Sequence, residues 1–148
     1  MKKEKSSSAF EIFPADITTA RHTPLANDTV SAGFPSPADD FVDKMLDLNE
    51  HLIKNKAATF LVRVRGTSMI NAGIHDGDIL IVDRSLEASN GKIVIGVVNG
   101  EFTVKRIQKR GMDLYLMPEN DQFQPIRINE DMDFKIWGVV TYIIHKSP

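Results

Sequence analysis

The dipeptide Asn99-Gly100 limits what this chain can fold into more than any other local feature. It separates Lys92-Ile93-Val94-Ile95-Gly96-Val97-Val98 from Glu101-Phe102-Thr103-Val104-Lys105-Arg106-Ile107, two runs rich in β-branched and apolar residues. A two-residue link between strands closes best with both residues at positive φ, which Asn and Gly tolerate, so the stretch predicts a tight antiparallel hairpin. The surrounding sequence carries the same signature. Phe60, Val62 and Val64 alternate with Leu61, Arg63 and Arg65, the period-two pattern of a strand, which Gly66 ends. Ile79-Leu80-Ile81-Val82 follows the turn His75-Asp76-Gly77-Asp78 and suits a buried strand, and a further turn falls at Glu87 to Gly91. Residues 114–117 and 134–144 add β-branched and aromatic runs, separated by a polar loop at 118–122. Short strands joined by turns instead of helices imply a mainly β chain from residue 59 onward, a twisted antiparallel sheet or flattened barrel and not a βαβ fold.

Upstream the composition changes. Residues 1–39 contain Ser6-Ser7-Ser8 and four prolines, at 14, 24, 35 and 37, which predicts an extended or partly ordered arm. Phe10, Ile12, Phe13 and Phe34 are apolar exceptions that point to docking of the arm. Phe41, Met45, Leu48 and Leu52 fall at i, i+4, i+7 and i+11 and predict one amphipathic helix over residues 40–54, with Asp39 or Asp40 as its cap. The expected organisation is an N-terminal arm over 1–39 and one domain over 40–148, since 148 residues with 42% hydrophobic content suit a single modest core.

Composition also excludes chemistries. The chain has no cysteine, so disulfides, thiolate nucleophiles and cysteine-bound zinc are ruled out. Eighteen basic against 20 acidic residues leave a net charge of -2, which gives no global attraction to nucleic acid. The basic start Lys2-Lys3-Glu4-Lys5 is not followed by the apolar run of a signal peptide, and no segment has the apolar length of a membrane span. A cytoplasmic protein without membrane association is expected.

Two residues invite a chemical reading, Ser68 in Gly66-Thr67-Ser68-Met69 and Lys105 in the return strand of the hairpin. A serine at a strand end is commonly a cap, and a strand lysine is commonly a solvated cation with a pKa of about 10.4. A lysine desolvated among Val104 and Ile107 loses that proton more readily and becomes a general base for a serine hydroxyl. Backbone amides of Thr67 and Ser68, freed from the sheet by Gly66, are the candidate oxyanion donors, and Met69 is either a wall of that site or plain core. The four histidines, His22, His51, His75 and His145, show no metal-ligand spacing, and neither a metal nor another cofactor is expected. His75 is a rival base by proximity to Ser68 in sequence, although its context reads as an exposed turn. The run Lys105-Arg106-Ile107-Gln108-Lys109-Arg110 is either a phosphate contact or a solvated strand end, and without aromatic stacking residues beside it direct DNA binding is not expected.

Taken together these residues resemble the UmuD family of SOS-mutagenesis proteins, relatives of LexA-type self-cleaving repressors and, more distantly, of type I signal peptidases. The resemblance runs from about Ser31 to His145. Its most telling pieces are Ala32-Gly33-Phe34-Pro35-Ser36-Pro37-Ala38, Gly66-Thr67-Ser68-Met69, Asp76-Gly77-Asp78-Ile79-Leu80-Ile81-Val82-Asp83 and Gly100-Glu101-Phe102-Thr103-Val104-Lys105. It implies a β-clip fold with a flexible N-terminal arm and one short helix. It implies Ser68 as nucleophile, Lys105 as general base and Ala32-Gly33 as the bond cleaved. It further implies a homodimer, stimulation of cleavage by a RecA filament on single-stranded DNA, and a UmuC-type Y-family DNA polymerase as partner in translesion synthesis. Residues 1–32 are too short and helix-poor for the helix-turn-helix domain of a LexA-type repressor, and the anchor of a signal peptidase is missing, which leaves the mutagenesis branch. The alternative is a non-enzymatic, dimeric, β-rich regulatory module that acts uncleaved.

Overall fold

The computed structural model describes residues 11–18, 20, 22–25, 32–33 and 44–148. The chain divides into two compact units, one formed by residues 1–15 with 55–148 and the other by residues 16–54. In the larger unit the strands are β1 (Glu11–Pro14) and, after the small unit's β2 (His22–Leu25) and β3 (Lys44–Asp47), β4 (Thr59–Arg63), β5 (Ile79–Asp83), β6 (Ile93–Val98), β7 (Glu101–Arg110), β8 (Asp113–Met117), β9 (Ile126–Ile128) and β10 (Phe134–Ile144). They form one eight-stranded sheet in the order β1-β4-β5-β10-β6-β7-β8-β9, antiparallel at every pairing. This mainly antiparallel β architecture, with one short α-helix among the described residues, agrees with the β-clip expected from the sequence.

The hairpin forms as Asn99-Gly100 dictates. Val98 pairs with Glu101, and Asn99 and Gly100 sit at φ 49° and 82°, the mirror-image turn whose twist matches the flanking strands. Strand β10 crosses the sheet between β5 and β6 and shifts register against each, between Val140 and Tyr142 on one side and between Ile136 and Gly138 on the other. Gly138 is required there, because an added Cβ would stand 2.5 Å from Val82 Cγ1.

Two apolar clusters hold the sheet together. Val62, Val64, Met69, Ile74, Leu80, Val82, Ile95 and Val104 form one, and Val94, Ile107, Leu116 and Val139 the other. Each fully buried aliphatic side chain contributes about 1.5–3 kcal/mol of transfer free energy, so β4 to β7 are the stable heart of the unit. The arm's β1 pairs along β4, with Ile12 opposite Val62 and packed against the first cluster. Phe10 and Phe34 lie outside the described residues.

The small unit corrects the predicted helix. Residues 44–47 are strand, paired with 22–25, and the α-helix, α1, spans only Leu48–Leu52. Asp47, not Asp39 or Asp40, is the cap, its Oδ1 accepting the Asn49 N–H at 3.0 Å. The stripe Met45, Leu48, Leu52 fits a helix, but a side-chain cap and a cross-strand partner decide where one starts. Phe41, Asp39 and Asp40 lie outside the described residues. Met45 and Leu48 are exposed.

Candidate active site

The sequence after β4 positions Ser68 through one glycine and one turn. Gly66 adopts φ 98°, a conformation open to glycine, and its N–H donates to Asp76 Oδ1 at 2.7 Å. The Val64 N–H donates to the Asp78 carbonyl and the Gly77 N–H to the Val64 carbonyl, so the 75–78 turn braces the end of β4. The chain then leaves the sheet and enters a 3-10 turn at Ile70–Ala72. Met69 and Ile74, both buried in the first cluster, anchor this segment, while Ser68 between them and solvent is half-buried.

Lys105 stands opposite Val94 in the β6–β7 pair, between Val104 of one cluster and Ile107 of the other, and is 8% exposed. Its Nζ lies 3.2 Å from Ser68 Oγ, 2.8 Å from Thr103 Oγ1 and 3.0 Å from the Val104 carbonyl. No carboxylate pairs with it among the described residues. Burial alone pushes its pKa below the ordinary 10.5. The three neighbours suit a neutral amine, whose two N–H groups serve Thr103 Oγ1 and the Val104 carbonyl and whose lone pair accepts the Ser68 hydroxyl proton. The arrangement is therefore competent to activate a serine without a third residue.

The amides named as oxyanion donors are free to serve. Among the described residues neither the Thr67 nor the Ser68 N–H donates to a protein acceptor. Their carbonyls, in contrast, are fixed: Asn120 Nδ2 donates to the Thr67 carbonyl at 2.9 Å and the Glu119 N–H to the Ser68 carbonyl at 2.8 Å. Because a trans peptide aims N–H opposite to C=O, tying the Thr67 carbonyl sets the direction of the Ser68 N–H. Glu119 joins both halves of the site, since its carboxylate also accepts from Arg106 Nε, next to Lys105, at 2.5 Å. Sequence reasoning missed Asn120 and Glu119, whose polar loop offers no local signal of what it touches. A cavity of about 110 Å³, lined among others by Gly66, Ser68, Phe102 and Lys105, opens beside the pair.

Ala32 and Gly33 are exposed and lie in a bend of the small unit. Pro35 and Pro37 lie outside the described residues. The basic run is not one solvated face: Lys105 is buried, Arg106 is taken by Glu119 and the Gly91 carbonyl, and Arg110 lies over the Tyr115 ring. His75 has no hydrogen bond to Ser68; it stacks on His145, with ring centroids 4.4 Å apart. Asp78, expected in an exposed turn, is 4% exposed and accepts from both the His75 N–H and His145. Among the described residues no helix is long and apolar enough to cross a membrane.

Comparison with known proteins adds an independent line. The family described as Peptidase S24-like matches residues 24–141. Protein MucA of Salmonella typhimurium is 42% identical over 140 residues, covering 93% of this chain and 95% of that protein. Protein SamA of the same species is 44% identical over 124 residues, 84% of this chain and 86% of its own. The LexA repressor of Ralstonia nicotianae is 40% identical over 119 residues, 80% of this chain but 55% of the repressor.

Proposed function

The chain belongs to the S24-like peptidases and, among them, to the UmuD family, and from that premise we propose that it is a single-use serine peptidase whose substrate is its own Ala32-Gly33 bond. The observation that carries this reading is the 3.2 Å approach to Ser68 Oγ of a desolvated lysine amine that has no acidic partner among the described residues. Neutral Lys105 takes the hydroxyl proton as Oγ attacks the Ala32 carbonyl carbon. The Ser68 and Thr67 N–H groups receive the oxyanion. Lys105 then hands the proton to the departing Gly33 nitrogen, leaving Ala32 esterified to Ser68. Water, deprotonated by the same amine, hydrolyses the ester, so that Ala32 ends as a carboxylate and Ser68 is restored. A small residue before the bond and glycine after it let backbone enter a narrow cleft.

Tethering gives the substrate a high effective concentration, so slow cleavage requires that productive docking of the arm be a minor conformation. A RecA filament on single-stranded DNA favours that conformation and accelerates the reaction. The processed chain, residues 33–148, acts in the cytoplasm as a homodimeric accessory subunit of a UmuC-type translesion polymerase in SOS mutagenesis. The test is incubation of the purified protein with and without the filament, followed by gel and mass analysis. Faster cleavage with filament, lost in Ser68→Ala, is expected; equal cleavage in Ser68→Ala would overturn the assignment.

A further inference from the structure

A second cluster of chemically competent side chains lies in the large unit, on the turn that braces the end of β4. His75 and Asp78 come from that turn and His145 follows directly after β10, 67 positions beyond Asp78, and one donor atom from each lies within 4.8 Å of those of the other two. We propose that His75, Asp78 and His145 form a binding site for a divalent transition-metal cation of the zinc class, separate from the Ser68–Lys105 pair.

Two imidazoles and one carboxylate are the donor set such a cation prefers, and three protein ligands leave a position for water or a further ligand. The present contacts leave this set unsaturated. His75 Nδ1 is closed off from solvent yet makes no hydrogen bond, with Asp78 Oδ2 3.7 Å away. A buried imidazole nitrogen without a hydrogen bond is costly, and a cation between it and the nearby Asp78 carboxylate satisfies both. His145 Nδ1 donates to Asp78 Oδ1 at 2.6 Å, a short contact in which a proton occupies the place the cation would take. The Asp78 carboxylate, 4% exposed, turns Oδ1 to His145 Nδ1 and Oδ2 toward His75 Nδ1, one oxygen for each ring. Zinc-class bonds of about 2.0–2.2 Å require the donors to draw together, which rotations of two half-exposed rings supply. A cation bound at His145 Nδ1 takes the place of the hydrogen bond to Asp78.

The position gives such a site a consequence. It fastens the end of β10 to the 75–78 turn, which holds Gly66 through Asp76 and Val64 through Gly77 and Asp78. Occupancy therefore stiffens the segment that presents Ser68.

The experiment is calorimetric titration of the untagged, chelator-treated full chain with zinc ion alone, with thermal melts at each concentration and cobalt(II) absorption as a spectroscopic readout. Wild type is expected to bind one zinc per chain and to melt higher as zinc rises. His75→Ala and His145→Ala should each weaken binding by about tenfold or more and abolish the thermal shift. A His22→Ala/His51→Ala double variant should bind as wild type does, which separates this site from the remaining histidines. Absence of saturable binding to wild type, or binding unchanged in both His75→Ala and His145→Ala, would overturn the proposal. Neither result depends on whether the chain cleaves itself.

Discussion

At the scale of single residues the balance that matters is struck at Lys105. Burial disfavours its charged form, so the folded protein holds a proton there less tightly than the unfolded chain does. Below the depressed folded value both states are protonated and the group opposes folding in full. As pH rises from that value toward 10.5 the penalty disappears. Cleavage should rise as pH passes through the depressed folded value and level above it, short of 10.5, measured as initial rate against pH. Lys105→Met, which fills the space without an amine to desolvate, should abolish cleavage yet raise the urea midpoint at pH 7 by about 1 kcal/mol equivalent; a lower midpoint would show that the three Nζ contacts outweigh desolvation. Asn120→Ala should slow cleavage by about tenfold or more with little change in melting, since it frees the Thr67 carbonyl that aims the Ser68 amide. Ser68 and Lys105 are singled out in the sequence by the motifs around them. Asn120 and Glu119 are not, because they act through backbone carbonyls contributed by distant residues, and neither is the His75, Asp78, His145 cluster, which only the fold assembles.

At the scale of elements, local sequence is most informative where one backbone conformation is chemically forced. The β6–β7 hairpin is legible because Asn99 and Gly100 are the residues that reach positive φ at low cost. Strands β4 and β5 are legible from alternation and from an unbroken apolar run. The α1 region is not, since Met45, Leu48 and Leu52 keep helical spacing on a segment whose first part is strand, and β9 is too short to show a period. The end of β5 makes a testable case. Asp83, 4% exposed, accepts from Asn55 Nδ2 at 2.7 Å, the Ser85 N–H at 2.8 Å and Ser85 Oγ at 2.6 Å. Burial raises its pKa, but these donors prevail and the carboxyl lies below 3.8. Its stabilisation is thus complete above 3.8 and fades as pH falls through the folded value. Asp83→Asn should cost about 1–3 kcal/mol at neutral pH, with the gap to wild type narrowing in acid, by urea melts at pH 7 and below pH 4.

At the scale of the whole molecule, Lys105 lies in the eight-stranded sheet and Ser68 follows its strand β4, while the bond we assign as substrate lies in the 16–54 unit. Strand β1 sits on the arm side of Ala32-Gly33 and pairs with β4, so its release after cleavage should expose Ile12's contact surface and increase amide exchange along residues 59–63. The central claim, that Ser68 activated by Lys105 cuts the chain's own backbone before Gly33, is tested most directly by the intact mass of the purified protein followed over time at alkaline pH. The expected product is a fragment of residues 33–148 with Gly33 at its N-terminus, forming faster as pH rises and absent from Ser68→Ala and Lys105→Ala. A chain that stays whole under these conditions and with the RecA filament, or a fragment that begins at another residue, would contradict it.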